Sequence, residues 1–242
     1  MYTFDSRVRY SETASDGRLG ICSAVHYMQD CSIFQSEALG VGVGELKKHN
    51  RAWLISSWQV EFLRRPKLGE HITIGTWASG FKAMYGYRNF LIQDDKQNPL
   101  VKAATIWIYL DLENGRPAKA EGAGVTVYPL EPALTMEPQS RKIRIPEGLE
   151  PKEKFPVRCY QIDTNGHVNN GAYIQMAQPW LPPEKEIKKL RVEYKRAAVM
   201  GDVIAPSAGA ENGIWTVELG SPEGIPFAVV QAAVSGTQRK AE

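Results

Sequence analysis

Residues 60–72 read VEFLRRPKLGEHI and residues 192–204 read VEYKRAAVMGDVI, and the two stretches align without a gap. Each is preceded by a related turn, SDGRL at residues 15–19 and TNGHV at residues 164–168. A turn and a strand that recur in the same order indicate two copies of one structural unit in a single chain. The sequence therefore predicts a duplicated fold.

The two copies differ in their chemistry. Where the second copy has Asn165 and His167, the first has Asp16 and Arg18. The chain between the turn and the strand is also longer in the first copy, which indicates a longer helical insert there. We therefore expect one copy to react and the other to bind or support.

Apolar periodicity predicts the same elements in both halves. In the first half a helix is expected over residues 23–39, ending at Gly40. In the second half a helix is expected over residues 171–177, stopping at Pro179. Alternating apolar and β-branched residues predict strands within residues 53–77, 85–92, 101–112, 190–194, 215–219 and 227–234. Each half is thus predicted to be one helix plus a run of antiparallel strands.

Prolines crowd the middle of the chain, where neither helical nor strand periodicity persists. The predicted organisation is an N-terminal repeat at residues 1–125, a Pro-rich linker at residues 126–155 and a C-terminal repeat at residues 156–242. A length of 242 residues suits two modest lobes.

Charge and composition exclude several classes of protein. The formal net charge is +2 and no long basic run is present, so nucleic acid is not an expected partner. The first residues lack the apolar stretch of a signal peptide, and no apolar run reaches the roughly 18 residues typical of a membrane span. We expect a cytoplasmic protein.

Cysteine and histidine usage argues against disulfides and metals. The 3 cysteines are unevenly spaced, which favours reduced thiols, and Cys159 is expected to pack in a strand. The 4 histidines are scattered and pair with no cysteine in a metal-binding pattern. No metal is expected.

The densest cluster of chemistry lies in residues 163–170, which read DTNGHVNN. It places a carboxylate, an imidazole and three side-chain amides where a strand passes to a helix N-terminus, which supplies free backbone N–H donors. A structural role is the alternative, because Asp and Asn are common helix caps and turn formers. Spacing alone does not separate the two interpretations.

A helix wrapped by a long antiparallel sheet and duplicated in one chain is the hot-dog arrangement. The order of particular segments resembles the acyl-acyl carrier protein thioesterase family over nearly the whole chain. The segments are WLISSWQVEF at residues 53–62, ATIW at residues 104–107, Asp163-x-Asn165-x-His167-Val168-Asn169-Asn170, and Tyr173-Ile174. The fold implied by this resemblance is α+β, with two tandem hot-dog repeats, each a central helix wrapped by an antiparallel β-sheet.

The resemblance implies hydrolysis of a fatty acyl thioester on acyl carrier protein, which releases free fatty acid and ends fatty acid synthesis. It implies no metal and no organic cofactor. Such hydrolysis needs a positioned water, a proton acceptor and donors for the oxyanion. Asp163 would orient or deprotonate water, His167 would act as base or polarise the carbonyl, and Asn165 would hold one of them. The backbone N–H groups of Val168, Asn169 and Asn170 would receive the oxyanion.

One departure from the family pattern affects this mechanism. The family commonly has Glu or Cys shortly after the Val-Glu-Tyr strand, whereas this chain has Ala197 and Ala198. A Cys-His-Asn triad is therefore not available, and Asp163, Asn165 and His167 must suffice or activity is reduced. Glu193 is not expected to substitute, because its counterpart Glu61 suggests a structural role in both copies.

Substrate-binding residues are predicted in the first repeat and at a basic surface. The acyl chain is expected to lie along the longer helix, and the predicted lining is Met28, Ile33, Phe34 and Trp53. Ordinary core packing is the alternative for these residues. Acyl carrier protein is acidic, and the densest cationic stretch comprises Lys185, Lys188, Lys189, Arg191, Lys195 and Arg196. A solvated strand edge is the alternative interpretation of that stretch.

Three functions remain open at this point. The first is hydrolysis of acyl-acyl carrier protein, and the second is hydrolysis of acyl-coenzyme A by the same chemistry. The third is a catalytically weak acyl-binding protein, suggested by Ala197 and Ala198. The assembly is a monomer or a homodimer, because a duplicated chain can pair its own hot-dog repeats.

Overall fold

The computed structural model describes residues 1–234 and divides the chain into two compact units. Unit 1 is Met1–Gln139, and unit 2 begins at Ser140. Each unit contains one antiparallel sheet and one principal helix. The predicted duplicated α+β hot-dog architecture is confirmed.

Unit 1 is built on a five-stranded antiparallel sheet in the order β1-β3-β4-β5-β2. Its strands are β1 (Tyr2–Arg7), β2 (Arg51–Phe62), β3 (His71–Lys82), β4 (Tyr85–Gln93), β5 (Pro99–Asp111) and the short β6 (Arg116–Pro117), and its helices are α1 (Ile21–Ala38), α2 (Val43–Lys48) and α3 (Ala123–Thr126). The predicted helix at residues 23–39 corresponds to α1. Gly40, with a φ of 70°, follows its cap as predicted.

Helix α1 packs on the sheet through a mixed apolar and polar face. Met28 is fully buried, and the Cys31 thiol donates to the Ile74 carbonyl of β3 at 3.5 Å. Near the outer strand, the Tyr27 hydroxyl lies 3.0 Å from the Ser6 hydroxyl of β1. The core of unit 1 therefore lies between α1 and the inward-facing side of the sheet.

Unit 2 repeats this arrangement with shorter elements. Its elements are β7 (Glu150–Pro151), β8 (Phe155–Pro156), α4 (Asn170–Ala177), β9 (Ile187–Tyr194), β10 (Val203–Glu211), β11 (Ile214–Gly220) and β12 (Pro226–Val234). The strand order is β9-β12-β11-β10-β7, and β8 also pairs with β10. The four long strands follow each other in space as β2, β5, β4 and β3 do in unit 1, which confirms the duplication.

The turn before the principal helix is the same in both units. Leu19 donates its N–H to the Pro66 carbonyl at 2.8 Å, and Val168 donates to the Ala198 carbonyl at 2.9 Å. Gly17 and Gly166 occupy the same turn position with φ values of 69° and 78°. Because that left-handed backbone strains other residues, both copies retain glycine there.

The Pro-rich segment at residues 126–155, predicted as a linker, is divided between the units. In unit 1, Trp77 donates its indole N–H to the Pro132 carbonyl at 2.9 Å, and Leu134 donates its N–H to the Asn89 side chain at 3.1 Å. In unit 2 the segment supplies β7. Residues 235–242 of the predicted C-terminal repeat lie outside the described residues.

Some elements were not predicted. Strands β1 and β10 and helix α2 are additional, and α4 continues past Ala177 into a 3₁₀ turn, Gln178–Trp180, that contains Pro179. The placement of Cys159 in a strand was wrong, because it lies exposed in the 3₁₀ turn Cys159–Gln161. No helix within residues 1–234 has the length and apolar character needed to cross a membrane.

Candidate active site

The turn that precedes α4 is shaped by hydrogen bonds of the side chain and backbone of Asp163. Its Oδ1 accepts the backbone N–H groups of Asn165 at 2.7 Å and His167 at 3.4 Å. Its own N–H donates to the His167 carbonyl at 2.8 Å, and its carbonyl accepts from Gly166 at 3.0 Å. One carboxylate oxygen therefore shapes the turn, while Oδ2 accepts no hydrogen bond from residues 1–234.

The other two predicted catalytic side chains lie in the same turn. Asn165 is exposed and His167 is half-buried. Neither the Asn165 amide nor the His167 ring forms a hydrogen bond with another described residue, so Asn165 does not hold either partner in this conformation. The turn thus brings the three together and leaves two polar side chains available to a substrate.

The helix N-terminus offers fewer donors than the sequence suggested. Val168 donates to the Ala198 carbonyl at 2.9 Å, and Asn169 donates to the Gln161 carbonyl at 2.8 Å. The oxyanion prediction is corrected for these two residues, because their N–H groups already have acceptors. Asn169 instead caps α4, accepting the Gly171 N–H on its side chain at 2.9 Å. The Asn170 N–H has no acceptor within residues 1–234.

Tyr173 fixes the segment after β9 to helix α4. Its hydroxyl oxygen accepts the Ala198 N–H at 2.8 Å, and its side chain is buried. Burial raises the pKa of Tyr173 to about 12, with smaller raising contributions from Asp202 and Asp163 and a lowering one from the Ala198 N–H. Both backbone groups of Ala198 are therefore committed to the site's framework. Sequence reasoning assigned no role to Tyr173.

Tyr194 adds a second anchor on the same helix. Its hydroxyl donates to the Asn170 carbonyl at 2.8 Å, and its ring lies 5.7 Å from that of Tyr173. Because Asn170 begins α4, this contact sets the helix N-terminus on strand β9.

The corresponding turn in unit 1 is closed by an arginine. Arg65 forms an ion pair with Asp16 and donates to the Leu19 carbonyl at 3.1 Å. Its own carbonyl accepts from the Arg18 guanidinium at 3.0 Å. The Arg65 side chain is buried, with 6% of its surface exposed. Arg65 with its contacts to Asp16 and the Leu19 carbonyl is called the Arg65 staple below.

Among residues 140–234 of unit 2, no side chain closes the turn before α4 in this way. In the repeat alignment Ala197 stands where unit 1 has Arg65, and Asn165 stands where unit 1 has Asp16. Ala197 is exposed and carries only a methyl group. The predicted difference between the copies therefore has a structural basis, with one turn closed by an ion pair and the other open.

Glu193 is buried and structural. Its Oε2 accepts the Ile143 N–H at 2.8 Å and lies 3.5 Å from the Lys195 ammonium. The half-buried Glu61 of unit 1 makes no matching contact with a described residue, so the role expected to be shared is particular to Glu193.

The four residues predicted to line an acyl site are not gathered in one place. Met28 is fully buried under α1 and Ile33 is half-buried. Phe34 is 45% exposed and meets Phe4 edge-on at 5.3 Å. Trp53 belongs to another aromatic cluster, with ring centroids 5.8 Å from Phe81 and 4.7 Å from Tyr109.

The cationic side chains in the basic stretch of unit 2 differ in whether they contact another side chain of the protein. Arg191 donates to the Gln231 side chain at 3.3 Å, and Lys195 approaches Glu193. Three exposed cations, Lys185, Lys188 and Arg196, form no ion pair within residues 1–234. Those three are free to meet an acidic partner. The part of the chain described here contains no group of His, Cys, Asp and Glu arranged for a metal.

The duplicated helix-and-sheet fold places the chain among double hot-dog proteins. Residues 1–125 match the acyl-ACP thioesterase N-terminal domain, and residues 147–220 match the acyl-ACP thioesterase C-terminal domain. The chain therefore belongs to the acyl-ACP thioesterase family.

Curated relatives agree with this assignment at low identity. An acyl-[acyl-carrier-protein] hydrolase of Cuphea viscosissima is 25% identical over 78% of this chain and 50% of its own length. An oleoyl-acyl carrier protein thioesterase of Arabidopsis thaliana is 22% identical over 96% of this chain and 66% of its own. The chain spans about half the length of most curated relatives it matches.

Solved structures show the same fold. An acyl-ACP thioesterase from Bacteroides thetaiotaomicron has a TM-score of 0.87 at 21% identity and covers 96% of both chains. A 12:0-ACP thioesterase from Umbellularia californica has a TM-score of 0.86 at 16% identity, again covering 96% of both chains.

Proposed function

We propose that this protein hydrolyses fatty acyl thioesters of acyl carrier protein and releases free fatty acids. The observation that carries the proposal is the open turn of unit 2, where Asp163, Asn165 and His167 stand before α4. The equivalent turn of unit 1 is closed by Arg65 and Asp16. Family membership supplies the substrate class, since the relatives that match are named for this reaction.

The proposed roles follow from the contacts of each group. Asp163 orients the attacking water through Oδ2, because Oδ1 already accepts two backbone N–H groups. His167 receives the proton of that water, since histidine takes and returns protons near neutral pH. Asn165, which is exposed, binds the thioester from its amide. The free Asn170 N–H then donates to the oxyanion at the start of α4.

The chemistry involves no covalent enzyme intermediate. Water attacks the thioester carbonyl, His167 accepts the proton, and the tetrahedral intermediate collapses to expel the thiolate. That proton passes to the departing sulfur, leaving a carboxylic acid and the free thiol of the carrier. Ala197 and Ala198 supply neither a thiol nor a carboxylate. Those two positions therefore provide no nucleophile, and water is the attacking group in the proposed reaction.

Acyl carrier protein is proposed as the partner because Lys185, Lys188 and Arg196 are exposed and unpaired within the described chain. Cations on the rim of a binding surface favour encounter with an acidic protein. Acyl-coenzyme A hydrolysis would use the same turn. A weak acyl-binding protein is the third candidate, motivated by the missing Glu or Cys at Ala197 and Ala198.

The test is thiol release by the purified protein from acyl carrier protein and coenzyme A bearing the same acyl chain. The proposal predicts release from both, with higher kcat/KM for the carrier-protein substrate. Faster turnover of the coenzyme A substrate would make coenzyme A the partner. Release from neither, together with measurable binding of the acyl group, would assign the protein as an acyl-binding protein.

A further inference from the structure

The buried segment that follows β9 differs from its counterpart in unit 1 by one hydrogen-bond donor. In the repeat alignment Ala198 stands where unit 1 has Pro66, and both residues are buried. Their carbonyls have the same role, because each accepts the N–H of the residue that ends the turn, Val168 or Leu19. Proline carries no N–H. Unit 2 therefore holds a buried backbone donor that unit 1 does not have at this position.

The acceptor of that donor is also particular to unit 2. Ala24 and Tyr173 correspond, because each is the fourth residue of the helix that follows the turn. Ala24 is fully buried and has only a methyl group, whereas the Tyr173 hydroxyl accepts the Ala198 N–H at 2.8 Å. The donor and its acceptor therefore occur together in unit 2 and are both replaced in unit 1. A buried N–H without an acceptor is costly, which accounts for the pairing.

The hydrogen bond between Tyr173 and Ala198 acts on the backbone that carries His167. The Ala198 carbonyl accepts the Val168 N–H at 2.9 Å. The next residue along the chain, Val199, pairs with His167 in an isolated antiparallel bridge. Tyr173 thus anchors the segment against which the backbone of His167 lies.

The Arg65 staple anchors the turn of unit 1 by a different route. Its guanidinium reaches the turn itself, where it pairs with Asp16. In unit 2 the anchor is the helix residue Tyr173, and the side chains of Asn165 and His167 have no hydrogen-bond partner among residues 1–234. A reactive turn needs both properties, a fixed backbone and uncommitted side chains.

The Tyr173 hydroxyl lies in the electrostatic field of the carboxylate proposed to orient water. Burial raises the pKa of Tyr173 to about 12, and the charges of Asp202 and Asp163 add to that shift. The phenol consequently stays neutral near neutral pH and keeps its contact with Ala198. The anchor does not change its charge in the pH range where histidines exchange protons.

We propose that Tyr173 is a positioning residue of the hydrolysis, which holds the catalytic turn in its reactive conformation by accepting the Ala198 N–H. It touches no reacting atom and acts through the segment opposite His167. The inference rests on the proposed function, because the position of this turn governs kcat only if the turn carries out the reaction. Misplacing a reacting group by on the order of 1 Å costs up to about 100-fold in rate.

The first variant is Tyr173→Phe, which deletes the acceptor and keeps the ring. Steady-state kinetics with acyl-acyl carrier protein should give a kcat about tenfold lower than wild type and an unchanged KM, at a temperature where circular dichroism shows the variant folded. The matched control is Val217→Ala, which removes buried methyl groups from β11 of the same unit and should keep the wild-type kcat. Equal kcat values for Tyr173→Phe and wild type, or an equal fall in the control, would overturn the inference.

A second substitution tests the route through Ala198. Tyr173→Phe combined with Ala198→Pro deletes the donor as well as the acceptor, and it gives this segment the proline of unit 1, whose carbonyl makes the same contact. The double variant should recover most of the kcat lost in Tyr173→Phe. A folded double variant with the low kcat of Tyr173→Phe would contradict the inference, because the hydroxyl would then act by another route.

Hydrogen exchange gives a readout that depends neither on hydrolysis nor on the double variant. The Val168 amide should exchange at least about tenfold faster in Tyr173→Phe than in wild type. In Val217→Ala it should keep the wild-type rate, because an amide beside an exposed turn exchanges by local opening. Unchanged exchange of Val168 in Tyr173→Phe would overturn the inference. Wild-type protein that cleaves no thioester would contradict the proposed function instead, and faster exchange of Val168 would still assign the anchoring of the turn to Tyr173.

Discussion

At the scale of the residue, the two carboxylate oxygens of Asp163 differ in their contacts and in their proposed roles. Oδ1 accepts the Asn165 and His167 N–H groups, so the interpretation as a turn former is correct for that oxygen. Oδ2 has no such partner among residues 1–234, which leaves it for water. A turn-forming aspartate and a reactive one are therefore compatible in the same side chain.

The sequence predicted the membership of this cluster but not which donors remain free. The polar residues are adjacent in the chain, and a local turn necessarily brings them together. The N–H of Val168 is occupied by the carbonyl of Ala198, a contact between segments distant in sequence. Tertiary contacts of that kind leave no local pattern, so the oxyanion donors could not be selected from residues 168–170 alone.

Tyr173 gives a prediction that depends on pH. Tyr173→Phe removes the acceptor of the buried Ala198 N–H, and near neutral pH it should lower the free energy of unfolding by about 2 kcal/mol. Burial raises the pKa of Tyr173 from 10.0 to about 12 in the folded state. The stabilisation linked to the protonated hydroxyl is fully present below pH 10 and is lost as pH rises toward about 12.

The measurement is denaturant unfolding of wild type and Tyr173→Phe at several pH values. The stability difference between the two proteins should be constant up to about pH 10 and should narrow above it. The buried Cys31 thiol, with its pKa raised to about 12, titrates in both proteins and cancels in the difference. A difference that stays constant through pH 12 would contradict the raised pKa of Tyr173.

At the scale of the element, one difference between the two turn-and-helix segments is the residue that follows the long strand, Arg65 in unit 1 and Ala197 in unit 2. Arg65 staples the turn of unit 1 through Asp16 and the Leu19 carbonyl. Ala197 leaves the turn of unit 2 without that staple. The backbone of both turns is nevertheless alike, because Leu19 and Val168 make equivalent hydrogen bonds.

Arg65→Ala should therefore destabilise unit 1. It leaves Asp16 without its cation and the Leu19 carbonyl without its donor, and breaking a largely buried pair costs about 3 kcal/mol. The matched control is Arg64→Ala, whose carboxylate partners are Glu70 and, at 3.8 Å, Asp94, and whose side chain is 40% exposed. That change should cost at most about 1 kcal/mol.

Denaturant unfolding monitored by far-ultraviolet circular dichroism measures both changes. Equal losses for Arg65→Ala and Arg64→Ala would show that the buried staple contributes no more than an exposed ion pair. A larger loss for Arg65→Ala supports the structural role assigned to the turn of unit 1.

Elements with strong periodicity were predictable, and weakly patterned ones were not. Helix α1 repeats its buried residues at helical spacing over 18 residues. Strand β10 contains Pro206, Ser207 and Gly209, residues with low strand propensity, and it is held by pairing with β11, β7 and β8. Its strand character comes from its neighbours in the sheet, which a local pattern does not reveal.

At the scale of the whole molecule, the two copies of one fold carry different side chains at equivalent positions. Unit 2 carries the open turn and three exposed cations that form no ion pair within residues 1–234, while unit 1 carries a closed turn and the buried Arg88. The sequence predicted this asymmetry from Asn165 and His167 opposite Asp16 and Arg18. It did not predict Arg88, because one arginine in a strand has no signal until the register places it against α1.

Charge reversal tests recognition of the carrier protein. Lys188→Glu combined with Arg196→Glu should raise KM for acyl-acyl carrier protein about tenfold at low salt and leave kcat unchanged. The effect should diminish as ionic strength rises, because salt screens exposed charges. The control reverses two exposed cations of unit 1, Lys82→Glu and Lys96→Glu. Equal responses of both double variants in steady-state kinetics would remove the cations of unit 2 from recognition.

The most direct test of the open turn is thiol release from acyl-acyl carrier protein by Asp163→Asn. The amide oxygen of asparagine can still accept the Asn165 and His167 N–H groups, so the turn is preserved while the carboxylate is lost. The control is Asp202→Asn, which retains the acceptor for the Val199 N–H in a nearby turn of unit 2. We predict a kcat at least about 100-fold lower for Asp163→Asn and a wild-type rate for Asp202→Asn. A wild-type rate for folded Asp163→Asn would contradict the assignment of this turn as the active site.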